Sequence, residues 1–309
     1  MAKQRVKKER CPNCDHPLQE TAEFCSQCGQ ENHDINRPFK YLFWEILEGA
    51  FNLDSRTWTS LRTLFRYPGK MALEFNAGKR KSYVPPVRFF LLSSIVFFLL
   101  LSINPFGTEE MTKVNVDSLF EDRDTLPINL GFSNMRMSKA EYLAIFDYND
   151  DQVDSFLVSK SLSPSFYNRK MTKGFPRVLN NLPSFQQRMY KNFSIAVFFL
   201  VPIFAFLLHL FYLRQKNFYV EHLILGLNYH AFFFLTSSIL IILGWIAFSD
   251  ITILISFLCS FIYLMFALKR FHQQRWGKTI LKSFLLFFSY FIITSVVMIF
   301  ASLIAVILF

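Results

Sequence analysis

The hydrophobic and polar positions of this chain are separated along its length. Up to about position 86 the apolar residues are broken up by charges, whereas five long apolar stretches follow, with polar segments between them. A stretch of about 18 to 20 apolar residues is long enough to cross the hydrocarbon core of a bilayer as a helix. The pattern therefore predicts an all-α membrane protein with about five transmembrane helices. Their predicted bounds are 87–104, 193–213, 223–248, 251–268 and 279–309.

The charged residues between these stretches predict an orientation. Lysine and arginine are abundant before the first stretch, after the second and after the fourth, whereas the turn at Ser249 and Asp250 carries neither. Short loops that are rich in lysine and arginine stay in the cytoplasm. We therefore predict a cytoplasmic N-terminus and, with five spans, an extracytoplasmic C-terminus. The basic residues that mark the cytoplasmic face are Lys79, Arg80, Lys81, Arg88, Arg214, Lys216, Lys269, Arg270, Arg275 and Lys278.

Two segments outside the spans have patterns of their own. Residues 37–86 carry apolar residues at helical spacing with Trp44, Trp58 and basic residues among them, which predicts amphipathic helices at the cytoplasmic membrane surface. A soluble helical pair packed on the N-terminal head is the alternative. Residues 105–192 are polar and contain turn residues such as Pro164. For them we predict a partly helical extracytoplasmic loop, not an independent domain.

The most specific motif is a set of four cysteines near the N-terminus. Cys11, Cys14, Cys25 and Cys28 form two Cys-x-x-Cys pairs that lie close together in the sequence. Pairs at this spacing place four thiolates around one zinc ion. Since four thiolates leave no open position on the metal, we predict one structural Zn²⁺ per chain in a zinc-ribbon head over residues 1–36. Thiolates need a reducing compartment, which again places the head in the cytoplasm.

The composition agrees with a membrane protein and limits its partners. Hydrophobic residues make up 52% of the 309 residues, 39 of them are Phe, and the mean hydropathy is +0.27. The lipid bilayer is therefore the first predicted partner. The formal net charge of +10 is concentrated at the flanks of apolar segments, so membrane topology explains it and a nucleic-acid partner is disfavoured. The basic residues at the head, which we expect to face lipid headgroups, are Lys3, Arg5, Lys7, Lys8 and Arg10.

A second group of ionisable residues lies near the second and third spans. His209, Glu221, His222 and, deeper in the third span, His230 are candidates for function because burying ionisable groups is costly. Imidazoles and a carboxylate could bind a divalent metal or relay a proton. Against this, Glu221 and His222 point about 100° apart on a helix, and His222 and His230 lie about 12 Å apart along it. Packing and interfacial roles are therefore the first interpretation, and a metal site would need a ligand from another helix.

Several short motifs are distributed from the head to the third span. They are Phe24-Cys25-Ser26-Gln27-Cys28-Gly29-Gln30, Thr63-Leu64 with Pro68-Gly69, Gly78-Lys79-Arg80-Lys81-Ser82-Tyr83 with Pro85, Val201-Pro202-Ile203-Phe204-Ala205 and Tyr219-Val220-Glu221-His222-Leu223. In these motifs the chain resembles an uncharacterised bacterial family of polytopic membrane proteins with an N-terminal zinc-ribbon-like head, which carries a domain of unknown function. The resemblance implies a location in the bacterial cytoplasmic membrane and this architecture, and it implies no activity.

These observations leave three hypotheses for function. The sequence contains no phosphate-binding glycine loop, nucleophile elbow or metalloprotease helix, so we predict no catalytic residues. The first hypothesis is a membrane scaffold or adaptor whose zinc head docks a cytoplasmic protein partner or anionic lipid. The alternative is a small-solute or ion transporter that uses the histidines and the glutamate of the second and third spans. A membrane enzyme that acts on lipid headgroups through Glu221 and His222 comes third.

Overall fold

The computed structural model describes residues 8–19, 21–32, 55–103, 119–121, 124–129, 134–244 and 251–308. Some of the predictions concern other residues and lie outside the described ones: these are Lys3, Arg5, Lys7, the segment 37–54 with Trp44, and the turn at Ser249 and Asp250. The chain divides into two compact units. The first comprises Met1–Leu100 and Phe198–Ile292, and the second comprises Leu101–Val197 and Ile293–Phe309.

Helices dominate the described residues, and a single hairpin of two strands accompanies them. In chain order the elements are α1 (Ser55–Arg66), α2 (Lys70–Asn76), α3 (Pro86–Ile103), β1 (Thr125–Asn129), β2 (Asn134–Ser138), α4 (Lys139–Ala144), α5 (Asp150–Ser159), α6 (Phe166–Asn180), α7 (Leu182–Phe211), α8 (Tyr219–Gly244), α9 (Ile251–His272) and α10 (Trp276–Ile307).

Five of these helices are long and apolar enough to cross a membrane, judged by length and composition. They are α3, α7, α8, α9 and α10, which confirms the predicted class of an all-α protein with about five transmembrane helices. α7 begins at Leu182, well before the predicted span 193–213, and its first turns contain polar residues such as Arg188. Because helix bounds do not mark the edges of a bilayer, the predicted span boundaries stay predictions.

Aromatic contacts between helices form much of the core of the first unit. The rings of Phe204 in α7 and Tyr229 in α8 stack with 4.8 Å between centroids, and those of Phe232 in α8 and Tyr263 in α9 stack at 3.8 Å. Phe90 in α3 contacts Phe234 in α8 at 6.0 Å. Offset and tilted aromatic pairs stabilise a packed core beyond their buried area. α8 therefore lies between α3, α7 and α9, and it is the most buried of the five long helices.

The segment before α3 packs as a compact platform, by which we mean α1, α2 and the connection 77–85. In α1, Ser60, Thr63 and Leu64 are buried at the spacing of one helix face, while Trp58 is exposed. The Ser60 hydroxyl accepts a hydrogen bond from the backbone N–H of Val84 at 3.0 Å, which ties α1 to the connection. α1 therefore buries one of its faces; the place of residues 37–86 at the membrane surface stays a prediction.

The turn between α1 and α2 lies against the end of α9. Gly69 has a φ of 76°, and a Cβ added there would lie 2.7 Å from the carbonyl oxygen of Ala267. Only glycine adopts this backbone conformation without strain and also permits such a close approach. The Arg270 side chain donates to the carbonyl of Pro68 at 2.6 Å. The platform is thus fixed to α9 by backbone contact and by a hydrogen bond.

The second unit has a small core of its own. β1 and β2 pair antiparallel, with Thr125 opposite Ser138. Ser138 then caps α4 through a capping box with Glu141, and Asn149 caps α5 in the same way. The hairpin was not predicted, because its strands are short and lack a clear alternation. The buried core residues are Ile128, Met135, Met137, Ile145, Val153, Phe156, Leu157 and Met171.

Two further contacts hold the helices of the second unit together. Arg169 in α6 donates to both carboxylate oxygens of Asp154 in α5, at 2.5 and 2.6 Å. The last turns of α10 pack against the same core, and a Cβ at Gly174 would collide with the carbonyl of Val306. The predicted loop and the C-terminal end of the last long helix therefore share one compact unit.

Candidate metal centre and histidine cluster

The four cysteine sulfurs come together in the first unit. All four lie within 4.8 Å of one another, and this is the only such group of possible ligands among the described residues. The Sγ atoms of Cys11 and Cys28 are 3.6 Å apart, as are those of Cys14 and Cys25. A disulfide needs about 2.05 Å. Four sulfurs bound at about 2.3 Å to one tetrahedral ion would lie about 3.8 Å apart. The spacing therefore fits a metal ion and excludes disulfides.

The two cysteine pairs lie on equivalent turns, which explains why the sequence folds this way locally. Asp15 N–H donates to the carbonyl of Cys11 at 2.8 Å, and Gly29 N–H donates to that of Cys25 at 2.9 Å. Asp15 and Gly29 both have positive φ, at 61° and 68°. Glycine adopts this conformation freely and aspartate is among the residues that tolerate it. Each pair is thus held by a tight turn that points its sulfurs to one side.

The four thiols influence one another's ionisation. Burial raises the pKa of Cys25, but hydrogen bonds from the backbone N–H groups of Cys28 and Gln27 and from neighbouring thiols bring it down to about 6. A backbone hydrogen bond from His16 lowers the pKa of Cys14, yet burial and the surrounding sulfurs raise it to about 12. Thiolates this close repel one another. A divalent cation between them would allow all four to ionise, so the set could bind a metal ion; four-sulfur sites hold zinc or iron.

The head docks on the platform through a buried glutamine. The side chain of Gln30 donates to the carbonyl of Gly78 at 2.6 Å and accepts from the backbone N–H groups of Arg80 and Lys81 at 3.2 and 3.3 Å. Nearby, Ser82 donates to the Asn13 side chain at 2.8 Å. Two of the sequence motifs, the one ending at Gln30 and the one beginning at Gly78, therefore contact each other.

A carboxylate organises the platform beneath the head. Glu74 accepts hydrogen bonds from Tyr83 and, at 3.3 Å, from Lys79, and it lies 4.0 Å from Lys70. Burial would raise the pKa of Glu74, but the hydrogen bonds from Tyr83 and Lys79 and the charges of both lysines lower it below its ordinary value. Burial and the Glu74 partner raise the pKa of Tyr83 to about 12. Glu74 therefore stays ionised, and Tyr83 stays protonated, near neutral pH.

Three histidines gather at the ends of α7, α8 and α9. The ring centroids of His209 and His222 are 5.5 Å apart, and those of His222 and His272 are 5.4 Å apart. His222 is fully buried and His272 is 6% exposed. Tyr212 stacks on His272 with 3.5 Å between centroids. We call His209, His222, His272 and Tyr212 the histidine cluster.

The other two residues of the predicted group lie apart from this cluster. His230 is buried, its Nδ1 contacts the carbonyl of Gly226 at 2.7 Å, and its Nε2 contacts the Tyr290 hydroxyl at 2.7 Å. Glu221 is partly exposed and accepts from Asn217 at 2.8 Å. The structure therefore brings His209 and His222 together, as the predicted group requires, and it supplies a third imidazole from another helix.

Comparison with known proteins adds one match. A family described as "Protein of unknown function (DUF3667)" matches residues 54–98. No curated protein and no solved structure gives a significant match. The matched residues cover the platform and most of α3. Together with the cysteine set, the match fits an uncharacterised family and leaves the activity open.

Sequence reasoning missed Gln30, Gln215 and His272 as candidate site residues. His272 could have been found, because the ends of the second and fourth spans and the start of the third must lie on one side of a membrane. Gln30 and Gln215 carry no local signal, since an isolated glutamine is usually a solvated surface residue. Their roles depend on partners that are 48 and 57 residues away along the chain.

Proposed function

We propose that the protein is a membrane scaffold, whose cysteine head holds one structural zinc ion and docks anionic lipid headgroups or a cytoplasmic protein partner. The observation that carries the proposal is the attachment of the head to the platform through Gln30. A metal bound by four thiolates offers no position for substrate, so its role is to hold the head together. The head and the platform then present one surface with a fixed shape.

Charge on the platform favours anionic lipid as the first partner. The ring of Tyr67 has three cations near it: Lys70 at 4.9 Å, Arg270 at 5.8 Å and Arg66 at 5.9 Å from the ring centroid. Lys269 lies 5.3 Å from the ring of Trp276. Aromatic and basic residues are enriched together where a protein meets lipid headgroups. We expect these aromatic and basic residues to bind the phosphate groups of anionic lipids.

The contacts within each unit support the proposed orientation, with the N-terminus in the bacterial cytoplasm. In the first unit, the head contacts the platform through Gln30, the platform contacts the end of α9 through Arg270, and Gln215 after α7 donates to the carbonyl of His272 at 3.0 Å. A chain that begins in the cytoplasm and crosses the membrane five times would place all of these segments on the cytoplasmic side. In the second unit, the loop between α3 and α7 packs with the last turns of α10. Five crossings would put that loop and the C-terminus together outside.

Lipid retention tests the scaffold proposal. Two variants with the same change in charge are compared, Arg66→Gln/Lys70→Gln on the platform and Arg136→Gln/Lys170→Gln in the second unit. Native mass spectrometry then measures how much phosphatidylglycerol or phosphatidylcholine each retains in detergent. At about 1 kcal/mol for each basic residue near anionic lipid, the platform variant should bind phosphatidylglycerol roughly 30-fold more weakly. Equal loss in the two variants, or equal retention of both lipids, would count against the proposal.

Transport of a small solute or ion is the second candidate. The observation in its favour is the contact of His230 in α8 with Tyr290 in α10, an ionisable pair between two helices of membrane length. Ionisable residues at such depth are candidates for a transport path. Flux into vesicles that disappears in His230→Leu and persists without residues 1–36 would favour transport. Flux that equals that of empty vesicles would exclude it for the solutes tested.

A further inference from the structure

We infer that the histidine cluster is a second metal site, in which His209, His222 and His272 bind one transition-metal ion at the ends of α7, α8 and α9. This site is separate from the four cysteines and does not depend on the scaffold proposal. It rests on three features of the described residues: the spacing of the rings, the hydrogen bonds that fix their tautomers, and the nitrogens that those bonds leave without a partner.

The ring spacing fits a shared ion. Imidazole nitrogens bind zinc at about 2.0 to 2.1 Å, and a tetrahedral arrangement then places the ring centroids about 5 Å apart. The observed centroid distances are 5.5 Å for His209 and His222 and 5.4 Å for His222 and His272. Among the described residues only the cysteine ligand atoms all lie within 4.8 Å of one another. The imidazoles would therefore close on the ion through small shifts of the ends of α7, α8 and α9, which keep the Nδ1 hydrogen bonds of His222 and His272.

Hydrogen bonds fix which nitrogen of each buried ring is free. His222 Nδ1 lies 3.2 Å from the carbonyl of Phe218, and a carbonyl can only accept, so Nδ1 carries the proton. The Gln215 amide donates through its nitrogen to the His272 carbonyl at 3.0 Å, which directs its oxygen to His272 Nδ1. Nδ1 of His272 is therefore the donor as well. In both neutral rings Nε2 has a free lone pair, which is the arrangement found in metal-binding histidines.

These free nitrogens have no hydrogen-bond partner in the part of the chain that the structure describes. Nε2 of His222, Nε2 of His272 and Nδ1 of His209 are all buried and unpaired. Leaving a buried polar atom unpaired costs about 1 to 3 kcal/mol. His230 shows how the same fold satisfies a buried histidine, because both of its nitrogens have partners. Three unpaired imidazole nitrogens side by side instead indicate a ligand that all three share.

The surroundings indicate which metal fits. Lys282 donates to the carbonyl of Phe211 at 2.8 Å and lies 4.0 Å from the ring centroid of Tyr212, so the positive charge beside the cluster opposes a bound cation and the imidazoles must supply the affinity. Hard cations such as Mg²⁺ and Ca²⁺ need carboxylate or carbonyl oxygens, whereas imidazole suits Zn²⁺, Ni²⁺, Cu²⁺ and Co²⁺. The Tyr212 ring lies face to face on His272 with 3.5 Å between centroids, so its hydroxyl is outside the imidazole plane and the three imidazoles alone would bind the ion. The site is thus expected to take Zn²⁺ or Co²⁺ and to reject Mg²⁺.

Cobalt binding to the full-length protein tests the site without interference from the head. The protein is purified in detergent through a tag that contains no histidine, in a Cys11→Ser/Cys25→Ser background that disables the cysteine site. We expect this variant to bind about one Co²⁺ per chain, with weak visible bands and no thiolate charge-transfer band. Adding His222→Gln and His272→Gln should abolish binding, whereas His230→Gln should not change it. Gln215→Leu, which frees the His272 ring, should weaken binding about 10- to 100-fold.

The second measurement is the number of metal ions per chain in protein whose four cysteines are unchanged. We expect two metal ions per chain in the native protein and one in His222→Gln/His272→Gln, which should keep the thiolate charge-transfer band of the cysteine site. Retention of that band and of a single chromatographic peak shows that the variant is folded. One metal ion per chain in the native protein, together with a cysteine variant that binds no Co²⁺ at millimolar concentration, would overturn the proposal.

Discussion

Replacing Gln30 by alanine should release the head from the platform without removing its metal. The Gln30 side chain makes three hydrogen bonds to the backbone of Gly78, Arg80 and Lys81, at 2.6, 3.2 and 3.3 Å. The backbone carbonyl of Gln30 separately accepts from Cys25 N–H at 2.7 Å. Alanine keeps that second bond, so the turn that holds Cys25 and Cys28 stays intact. Docking and metal binding should therefore separate in this variant.

The size of the effect follows from the three lost bonds. Each hydrogen bond of this kind contributes about 1 kcal/mol net. Lys81 is exposed, so its N–H regains water when the head leaves, whereas Gly78 and Gln30 are buried. We therefore expect a loss of about 2 to 3 kcal/mol in the free energy of docking, which weakens docking roughly 30- to 140-fold.

Hydrogen–deuterium exchange of the full-length protein in nanodiscs measures this change. The amides of Arg80 and Lys81 should exchange faster in Gln30→Ala, by up to the roughly 30- to 140-fold change in docking, while the amount of bound metal per chain stays the same. Gln27→Ala is the matched control, because it removes an exposed glutamine from the same turn. Unchanged exchange at Arg80 and Lys81 in Gln30→Ala would refute the docking argument, and so would an equal effect of Gln27→Ala.

Two further variants test the platform. Gly69→Ala should lower the free energy of unfolding by about 2 kcal/mol or more, because Gly69 has positive φ and a Cβ there would lie 2.7 Å from the carbonyl of Ala267. In thermal unfolding, Gly277→Ala should cause no such loss, since nothing lies within 4 Å of its Cβ. The lowered pKa of Glu74 contributes stability above its ordinary value of 4.5 that is lost as the pH falls through the folded value. Glu74→Gln should therefore be less stable at neutral pH and show less acid destabilisation; an unchanged pH profile would contradict this.

The features that sequence could predict are those with a local cause. A run of apolar residues long enough for a bilayer identifies each membrane helix whatever surrounds it. The Cys-x-x-Cys spacing likewise identifies the ligand set, because each pair forms one tight turn. His209 and His222 were found for a similar reason, as ionisable residues near apolar segments. All of these signals lie within a few residues of the feature that they predict.

The features that sequence could not predict depend on contacts between distant segments. Gln30 and Gly78 are 48 residues apart, and nothing in either segment indicates the other. Gln215 orients His272 from 57 residues away. The hairpin of β1 and β2 has strands of five residues each, too short for the alternation of apolar and polar positions to stand out. In each case the contact becomes visible only when the helices are placed together.

Because the head docks through Gln30, the Gln30→Ala variant distinguishes the candidate functions better than deletion of the whole head does. Removing residues 1–36 deletes the four cysteines, the basic tail and the hydrogen bond of Gln30 to Gly78 at once. Any loss of function in that variant has several explanations. Gln30→Ala changes only the docking of a head that keeps its metal. A scaffold that needs a fixed surface should lose its partner in Gln30→Ala, whereas transport through the helices and metal binding by the histidine cluster should persist, because neither involves the head.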